Sequence, residues 1–521
     1  WFSVSVLNSL KIGAMLVASV VVLCVASCKD SDSARQHTFR KHSEKRIGLV
    51  PINYVSATRS ESHLGCRLAF IVRSNADMIA VIDGVGSASY NEIDSFVFSP
   101  DGRRYAYRAT QGGKQKVVVD GAMGDEFDKV QDIAFAPDGS QLAFLASTNG
   151  HIKVVIDGEA AAGHDGAAPV LFAPRGRRTA YITVDNGISR LVLDGAAGPG
   201  YRKIGGMRFS PDGRRFAYWG MGPVLDEQGS RGAGRAVVSH VIVDGVASRD
   251  YITIGSGPVF SPDSRRLAYV AMTEANTMVG VADGTEQVQF KGMINAQPPV
   301  FSGDSASVAF VAPVKDSVAV VVDGERGGEY SRIVSGYPIA NPRLSSFAYV
   351  ARPSTDRDKW VVVHDGQTSR EYDSVAGIRF SSDGTRFGYF ARNGEDFYVM
   401  IDTDERGPFK FVGKELVFAP KSSRAAYAVR RDGRVHMVVG DSTGPACDGL
   451  QEGAFRFDPS GENWAYPAEI ERRWHMVVNG TPDEGWDAVW AGPVFKHNGS
   501  LEFIAEQIED GERVLYRVVY R

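Results

Sequence analysis

The chain has 521 residues, 43% apolar, 23% charged and 10% aromatic, which excludes a mostly disordered chain and makes one undivided core too large. Fifty-eight basic against 62 acidic side chains leave a net charge of −4, so nothing global points to nucleic acid, and four cysteines exclude a disulfide scaffold. The 57 glycines, spread evenly, predict many tight turns and hence many short strands.

The first predicted element is a targeting segment. Lys11 precedes an uncharged apolar run, Ile12 to Val25, too short to span a bilayer comfortably and too apolar for a surface helix. Small residues then lead into a cysteine, and Val25-Ala26-Ser27-Cys28 resembles the lipobox of bacterial lipoproteins. The resemblance implies a signal peptide over residues 1–27, cleavage before Cys28, and acyl chains on Cys28 that anchor the protein to a membrane. It also implies a place in the bacterial cell envelope, on the periplasmic or the surface side. Lys29 follows Cys28 where the best-known inner-membrane retention cue has Asp, which favours the outer membrane. The alternative is an ordinary signal peptide cut nearby, with Cys28 a bystander. Residues 28–45 read as a polar tether. Cys66 and Cys447 lie in distant parts of the chain; a disulfide between them cannot be argued from spacing, and two unrelated thiols is the simpler reading.

Next comes a repeat. Phe98-Ser99-Pro100-Asp101-Gly102-Arg103-Arg104-Tyr105-Ala106-Tyr107 recurs from Phe209 to Tyr218 and, with Ser264 for Gly, from Phe260 to Tyr269. Looser copies begin at Phe135, Phe172, Phe301, Phe380, Phe418, Phe457 and Phe495, a degenerate one spans Pro342 to Tyr349, and Leu68-Ala69-Phe70 marks the earliest. That makes twelve units. A second signature follows the first, such as Val117-Val118-Val119-Asp120-Gly121 or Val241-Ile242-Val243-Asp244-Gly245. Pro-Asp-Gly between β-favouring stretches and Asp-Gly after a β-branched run are both tight-turn signals. Each unit therefore reads as strand a ending at Phe, a Pro-Asp-Gly turn, strand b, a variable loop, strand c, an Asp-Gly turn and strand d. Four antiparallel strands in such a repeat predict a propeller blade.

The phased motif resembles the TolB-type β-propeller repeat, also found in the propellers of prolyl-oligopeptidase-like enzymes. Between Lys29 and His63 there is too little chain for the α/β domain that precedes the propeller in TolB. The expected fold is all-β, with tandem propellers of four-stranded antiparallel blades. Twelve blades exceed the usual four to eight of one ring, so two six-bladed rings are expected, with unequal splits as the alternative. The boundary is placed at Gln297-Pro298-Pro299, giving a first propeller over 46–297, closing strand included, and a second over 298–521.

In this strand order the a–b and c–d turns share one face, and the b–c and d–a connections share the other. The second face varies in length and composition and is the expected binding face. Its longest element, the glycine-rich b–c loop from Trp219 to Ser239, reads as a lid or partner-contact loop, or as a tolerated surface insertion. Charged b–c loops carry Arg352, Asp356, Arg357, Asp358 and Lys359; Arg430, Arg431, Asp432 and Arg434; and Glu469, Glu471, Arg472 and Arg473. Such arginines could hold acidic peptides or glycans, or form a plain solvated rim. The arginines of the Asp-Gly-Arg-Arg turns read as surface chemistry.

His240, His436 and His475 occupy equivalent places in strand c of their units, a metal-binding constellation if they converge and polar strand starts if they do not. Asp402-Thr403-Asp404-Glu405-Arg406-Gly407 resembles a calcium loop but lacks its distal Glu, and reads as an irregular c–d turn. No nucleophile elbow, zinc-protease helix or phosphate loop occurs. No catalytic residue, metal or cofactor is assigned, and Cys28 is the one site residue named. The expected function is a lipid-anchored, non-enzymatic envelope module that binds or scaffolds a protein, peptide or glycan on its loop face. The alternative is an envelope enzyme of the polysaccharide lyase or hydrolase type using that face.

The last expectation concerns closure. Val514-Leu515-Tyr516-Arg517-Val518-Val519-Tyr520 aligns with strand c of the twelfth unit and lacks a following strand d. Part of Arg46–Ala57 is therefore expected to pair as its outer neighbour; the alternative is that this segment completes the first blade.

Overall fold

Strand b of blade 2 shows why these short elements form. Tyr105–Gln111 alternates side chains across two faces, and both faces are covered by neighbouring sheets, so Ala106, Tyr107 and Ala109 are all buried. The Ala of the Ala-Tyr motif is enclosed between neighbouring sheets: Ala106, Ala180, Ala217, Ala268, Ala309, Ala348 and Ala465 are fully buried. A larger side chain there would hold neighbouring sheets apart. At the other end of the blade, Asp120 and Gly121 both adopt left-handed φ values of 51° and 86°, the geometry of a type I′ hairpin turn.

The computed structural model describes residues 39–62, 64–222, 238–290, 297–334, 336, 338–353 and 358–521. Cys28 and the expected signal segment lie outside the described residues, as does most of the Trp219–Ser239 loop. Among the described residues twelve antiparallel sheets follow one another along the chain, eleven with their strands in sequence order from the inner strand a outward and the twelfth with its outermost strand taken from the start of the described chain. Blades 1 to 6 span 54–86, 92–123, 129–160, 166–201, 203–247 and 253–290. Blades 7 to 12 span 300–330, 332–368, 374–409, 412–443, 449–482 and 488–520. The degenerate copy at Pro342 is a full blade, its strand b running Phe347–Arg352. In blades 4, 8 and 11 the inner strand is split into two short pieces.

The expected division into two six-bladed rings is replaced by one ring of twelve. Blades 6 and 7 pack like any other neighbours, through Met278, Phe290, Phe301 and Phe310. Phe310 lies so close over Gly280 that a Cβ there would come within 2.7 Å of its ring. Blade 12 in turn packs on blade 1, through Cys66, Leu68 and Phe70 against Ala491, Val494 and Ile504. Residues 297–299 are therefore an ordinary connection between blades. Each seam buries apolar surface on both sheets, and the two seams that a division into two rings would break, between blades 6 and 7 and between blades 12 and 1, are both formed.

The closing strand is present and begins earlier in the chain than expected. Lys41–Leu49 pairs antiparallel with Glu512–Tyr520 as the outermost strand of blade 12, with Arg46 opposite Tyr516 and Leu49 opposite Val514. Residues 41–45, read from sequence as tether, belong to this strand. The rest of the expected segment splits away: Tyr54–Ser62 is the inner strand of blade 1. One stretch of chain thus supplies the outer strand of the last blade and the inner strand of the first.

Candidate functional site

The turn face is built from a repeated strap. In blade 6, Asp283 Oδ1 accepts the Leu267 amide at 3.0 Å while its Oδ2 accepts from Arg266 Nε at 2.8 Å. The same guanidinium donates to the Ser305 carbonyl of blade 7 at 3.2 Å and lies 5.3 Å from the Phe301 ring centre. Arg104, Arg215 and Arg386 repeat the arrangement on Asp120, Asp244 and Asp402, each reaching a carbonyl of the next blade's turn. The second arginine of Asp-Gly-Arg-Arg is thus an inter-blade clasp rather than loose surface charge. Asp402 belongs to this series, in a two-residue turn between Ile401 and Asp404.

Blade 12 has Ser500 where the strap arginine would stand, and its seam is held differently. Glu502, buried, accepts the Cys66 amide of blade 1 at 2.8 Å and lies 3.6 Å from Arg517, with Lys496 on its other oxygen. On the loop face of the same seam, buried Glu506 accepts two bonds from Arg513, at 2.7 and 2.8 Å, and one from Trp490 Nε1 at 2.8 Å. Trp490, Phe70 and Tyr54 pack edge to face, with centroids 5.4 to 6.1 Å apart.

Each of the three histidines is engaged by the connection that follows its own blade. His240 Nδ1 lies 3.1 Å from the Asp250 carboxylate, His436 Nδ1 is 3.2 Å from the Gly444 carbonyl, and His475 Nδ1 is 2.7 Å from the Asp483 carbonyl. Among the described residues no group of three His, Cys, Asp or Glu side chains is placed to hold a metal ion. Cys66 and Cys447 are separate buried thiols in different seams. Burial raises both, Cys447 to about 11.

The charged loops are partly tied down. Arg434 faces Asp448 at 3.3 Å, Arg473 donates to the Gly485 carbonyl at 2.7 Å and to Gln507 at 2.9 Å, and Arg352 lies 4.4 Å from the Trp360 ring centre. Arg430 and Arg431 are exposed, and among the described residues no carboxylate lies within ion-pair distance of either. They stack instead on Phe411 and Phe409, at 5.2 and 5.6 Å.

Beside Arg430 the seam between blades 10 and 11 opens into a cavity of about 330 Å³. Its apolar wall is Val417, Ala428, Met437, Leu450 and Phe455; its mouth carries Phe411, Lys414, Arg430, Asp448, Gln451 and Glu452. The cavity exists because side chains are small and one strand bows. Gly413 faces Ala428 so closely that a Cβ would sit 3.0 Å from the alanine methyl. The inner strand of blade 11 is split into Gly449–Leu450 and Arg456–Phe457, and Gly453, at φ 74°, turns the intervening residues. Phe455 then stacks on Tyr466 at 6.0 Å and closes the bottom. Two mouth acids are already engaged, Glu452 with Lys414 at 3.1 Å and Asp448 with Arg434 and the Glu471 amide. An apolar pocket of this size with a polar rim is suited to holding a ligand group. Sequence reasoning placed Arg430 on the binding face but missed the cavity; the interruption of the strand-a pattern by Gln451-Glu452-Gly453 is the signal that marks it. On the outer side of the same region, between blades 9 and 10, Arg406, Lys410, Arg430 and Arg431 line an open groove of about 800 Å³.

No family model matches the chain, and no curated protein matches it. Solved structures similar to it include a eukaryotic initiation factor, at 13% identity over 67% of this chain and 96% of that one, with a TM-score of 0.35. The β-propeller domain of the Trilobed protease from Pyrococcus furiosus, described as having an open velcro topology, shares 13% identity over 54% of this chain and 94% of its own, with a TM-score of 0.24. TolB from Acinetobacter baumannii shares 17% identity over 50% of this chain and 62% of its own, with a TM-score of 0.19. At these identities no residue role passes from one chain to another. The twelve sheets, their strand order and the seam that joins the last to the first make this chain a twelve-bladed β-propeller.

Proposed function

We propose that the chain is a non-enzymatic binding or scaffold module of a bacterial cell envelope, held at the outer membrane by lipid on Cys28. Its loop face receives a protein, peptide or glycan. The observation that carries the binding half is the loop-face cavity between blades 10 and 11, an apolar pocket whose mouth keeps Arg430 without a carboxylate partner. The lipobox-like Val25-Ala26-Ser27-Cys28 supports the anchoring half. The turn face supports a scaffold role, because its arginine straps are spent on holding neighbouring blades together.

Two measurements test the two halves separately. Cys28→Ser should move the protein from the membrane fraction to the soluble fraction and abolish lipid labelling; retained labelling would sink the anchor. A photo-crosslinking residue at Arg472 on the loop face should form adducts in cells, and one at Arg265 on the turn face should not. Equal adducts from both positions would remove the loop face as the binding face.

A further inference from the structure

The geometry points to the occupant of the blade 10–11 cavity: we infer that it takes one aromatic side chain of a protein segment, with an acidic neighbour held by Arg430. The inference rests on the loop-face reading above and names the ligand class at that site. Size argues first. About 330 Å³ lies at the small end of ligand pockets, enough for one large side chain and its backbone but not for a run of sugar rings. The chemistry of the wall argues second. Val417, Ala428, Met437, Leu450 and Phe455 offer no hydrogen-bonding side chain, so a sugar hydroxyl entering there would lose its water without replacement, whereas an aromatic ring would not.

Charge at the rim argues third. The Arg430 guanidinium lies over Phe411, 5.2 Å from the ring centre, while Arg431, the next residue of the strand, lies over Phe409 in the groove between blades 9 and 10. Stacking holds a guanidinium plane in place and leaves its N–H edge free for a carboxylate. Asp448 and Glu452 do not compete for it, since Arg434 and Lys414 occupy them. Glu415, the remaining acid of the lining, belongs to the inner strand Val412–Phe418, so an acidic group on the ligand is favoured at the Arg430 rim and disfavoured along that wall. An aromatic anchor in a desolvated pocket with a charged rim is the usual form of a binding hot spot.

The test uses the full chain and blocked peptides with a central Asp-Trp-Asp in Gly-Ser flanks, read by fluorescence anisotropy. Replacing Trp by Ala in the peptide should weaken binding about tenfold or more. Replacing both Asp by Lys should weaken it several-fold, and Arg430→Ala in the protein should remove the difference between the acidic and basic peptides. Ala428→Phe, which fills the cavity, should abolish binding at an unchanged unfolding midpoint. If that variant is destabilised, displacement of the peptide from the unaltered chain by N-acetyl-tryptophanamide serves instead, and its absence overturns the inference. Equal binding of the Trp and Ala peptides overturns it, as does a chitin oligosaccharide that occupies the cavity in place of the peptide. Peptide failure alongside intact crosslinking at Arg472 removes this occupant and leaves the loop-face reading standing.

Discussion

Glu502 Oε1 accepts the amide proton of Cys66 at 2.8 Å across 436 residues of chain, and the contact is made where the ring closes. Eleven seams join blades that are consecutive in sequence; this one joins the two ends. Gly65 makes room for it, because a Cβ at that position, where φ is 129°, would come within 2.3 Å of the same Glu502 oxygen. Gly65→Ala should therefore destabilise through both backbone strain and the displaced carboxylate. Glu502→Ala, leaving the Cys66 amide unpaired beside Arg517 and Lys496, should cost about 3 kcal/mol in denaturant unfolding. A loss below about 1 kcal/mol would show that the seam is held by apolar packing alone.

Removal of the closing strand is a harsher test. A chain beginning at Val50 lacks Lys41–Leu49, leaving the apolar strand Glu512–Tyr520 as an open edge. Such edges template pairing with other chains. The shortened protein should melt earlier and form concentration-dependent aggregates by light scattering. Unchanged melting and a monodisperse solution would argue that the strand pairs without closing anything.

The turn arginines separate into two kinds. Arg266→Ala removes a bond to Asp283, a bond to the Ser305 carbonyl and the stack on Phe301, and should cost about 1 to 2 kcal/mol, discounted for partial exposure. Its neighbour Arg265 points to solvent, and Arg265→Ala should stay within about 0.5 kcal/mol of the parent. Equal effects from the two substitutions would remove the strap.

Acid should loosen the turn face. The hydroxyl of Ser210 and the Arg214 amide hold Asp212 below the ordinary value of 3.8, and Ser381 and the Thr385 amide do the same for Asp383. Ser261 lowers Asp263 likewise, against the desolvation that raises it. A carboxyl depressed in the folded state contributes stability that is fully present above its unfolded value and is lost as pH falls through the folded one. Unfolding midpoints should be level above about pH 5 and fall below about pH 4. In Ser210→Ala, Asp212 returns toward its ordinary value, so the acid-dependent loss should shrink while stability at neutral pH drops.

Both thiols should be silent in the folded protein. Burial pushes Cys66 well up and Cys447 to about 11, so neither is a thiolate at neutral pH and neither is reachable. A maleimide should label them in denaturant and not in native buffer. Native labelling of Cys66 would mean that the closing seam opens.

Much of this architecture is legible residue by residue. Asp120-Gly121 has to turn where it does because both residues sit at positive φ, which few other pairs tolerate, and the Val117–Val119 run before it has to be strand. The degenerate copy at Pro342 keeps Phe347-Ala348-Tyr349, enough to place a blade. The histidines could be aligned by position yet not by direction. His475 turns to the carbonyl of Asp483, just past the end of its own blade, a contact that no spacing in the chain announces.

The repeating unit is written locally: turn residues with positive φ, alternating and β-branched strands, and in most blades a buried alanine in strand b are local requirements that recur from blade to blade. The sequence also placed a closing strand near Arg46, since a final strand c without a neighbour needs one. How many of those blades share one ring depends on packing between them. Closure depends on small rotations between neighbouring sheets, set by how large side chains such as Phe310 fill each seam, and these add up around the whole circuit. The cavity between blades 10 and 11 was decided at the same level. It is space left over when Gly413, Ala428 and the bowed strand at Gly453 meet, and each of these residues taken alone is an ordinary small residue in a strand or turn.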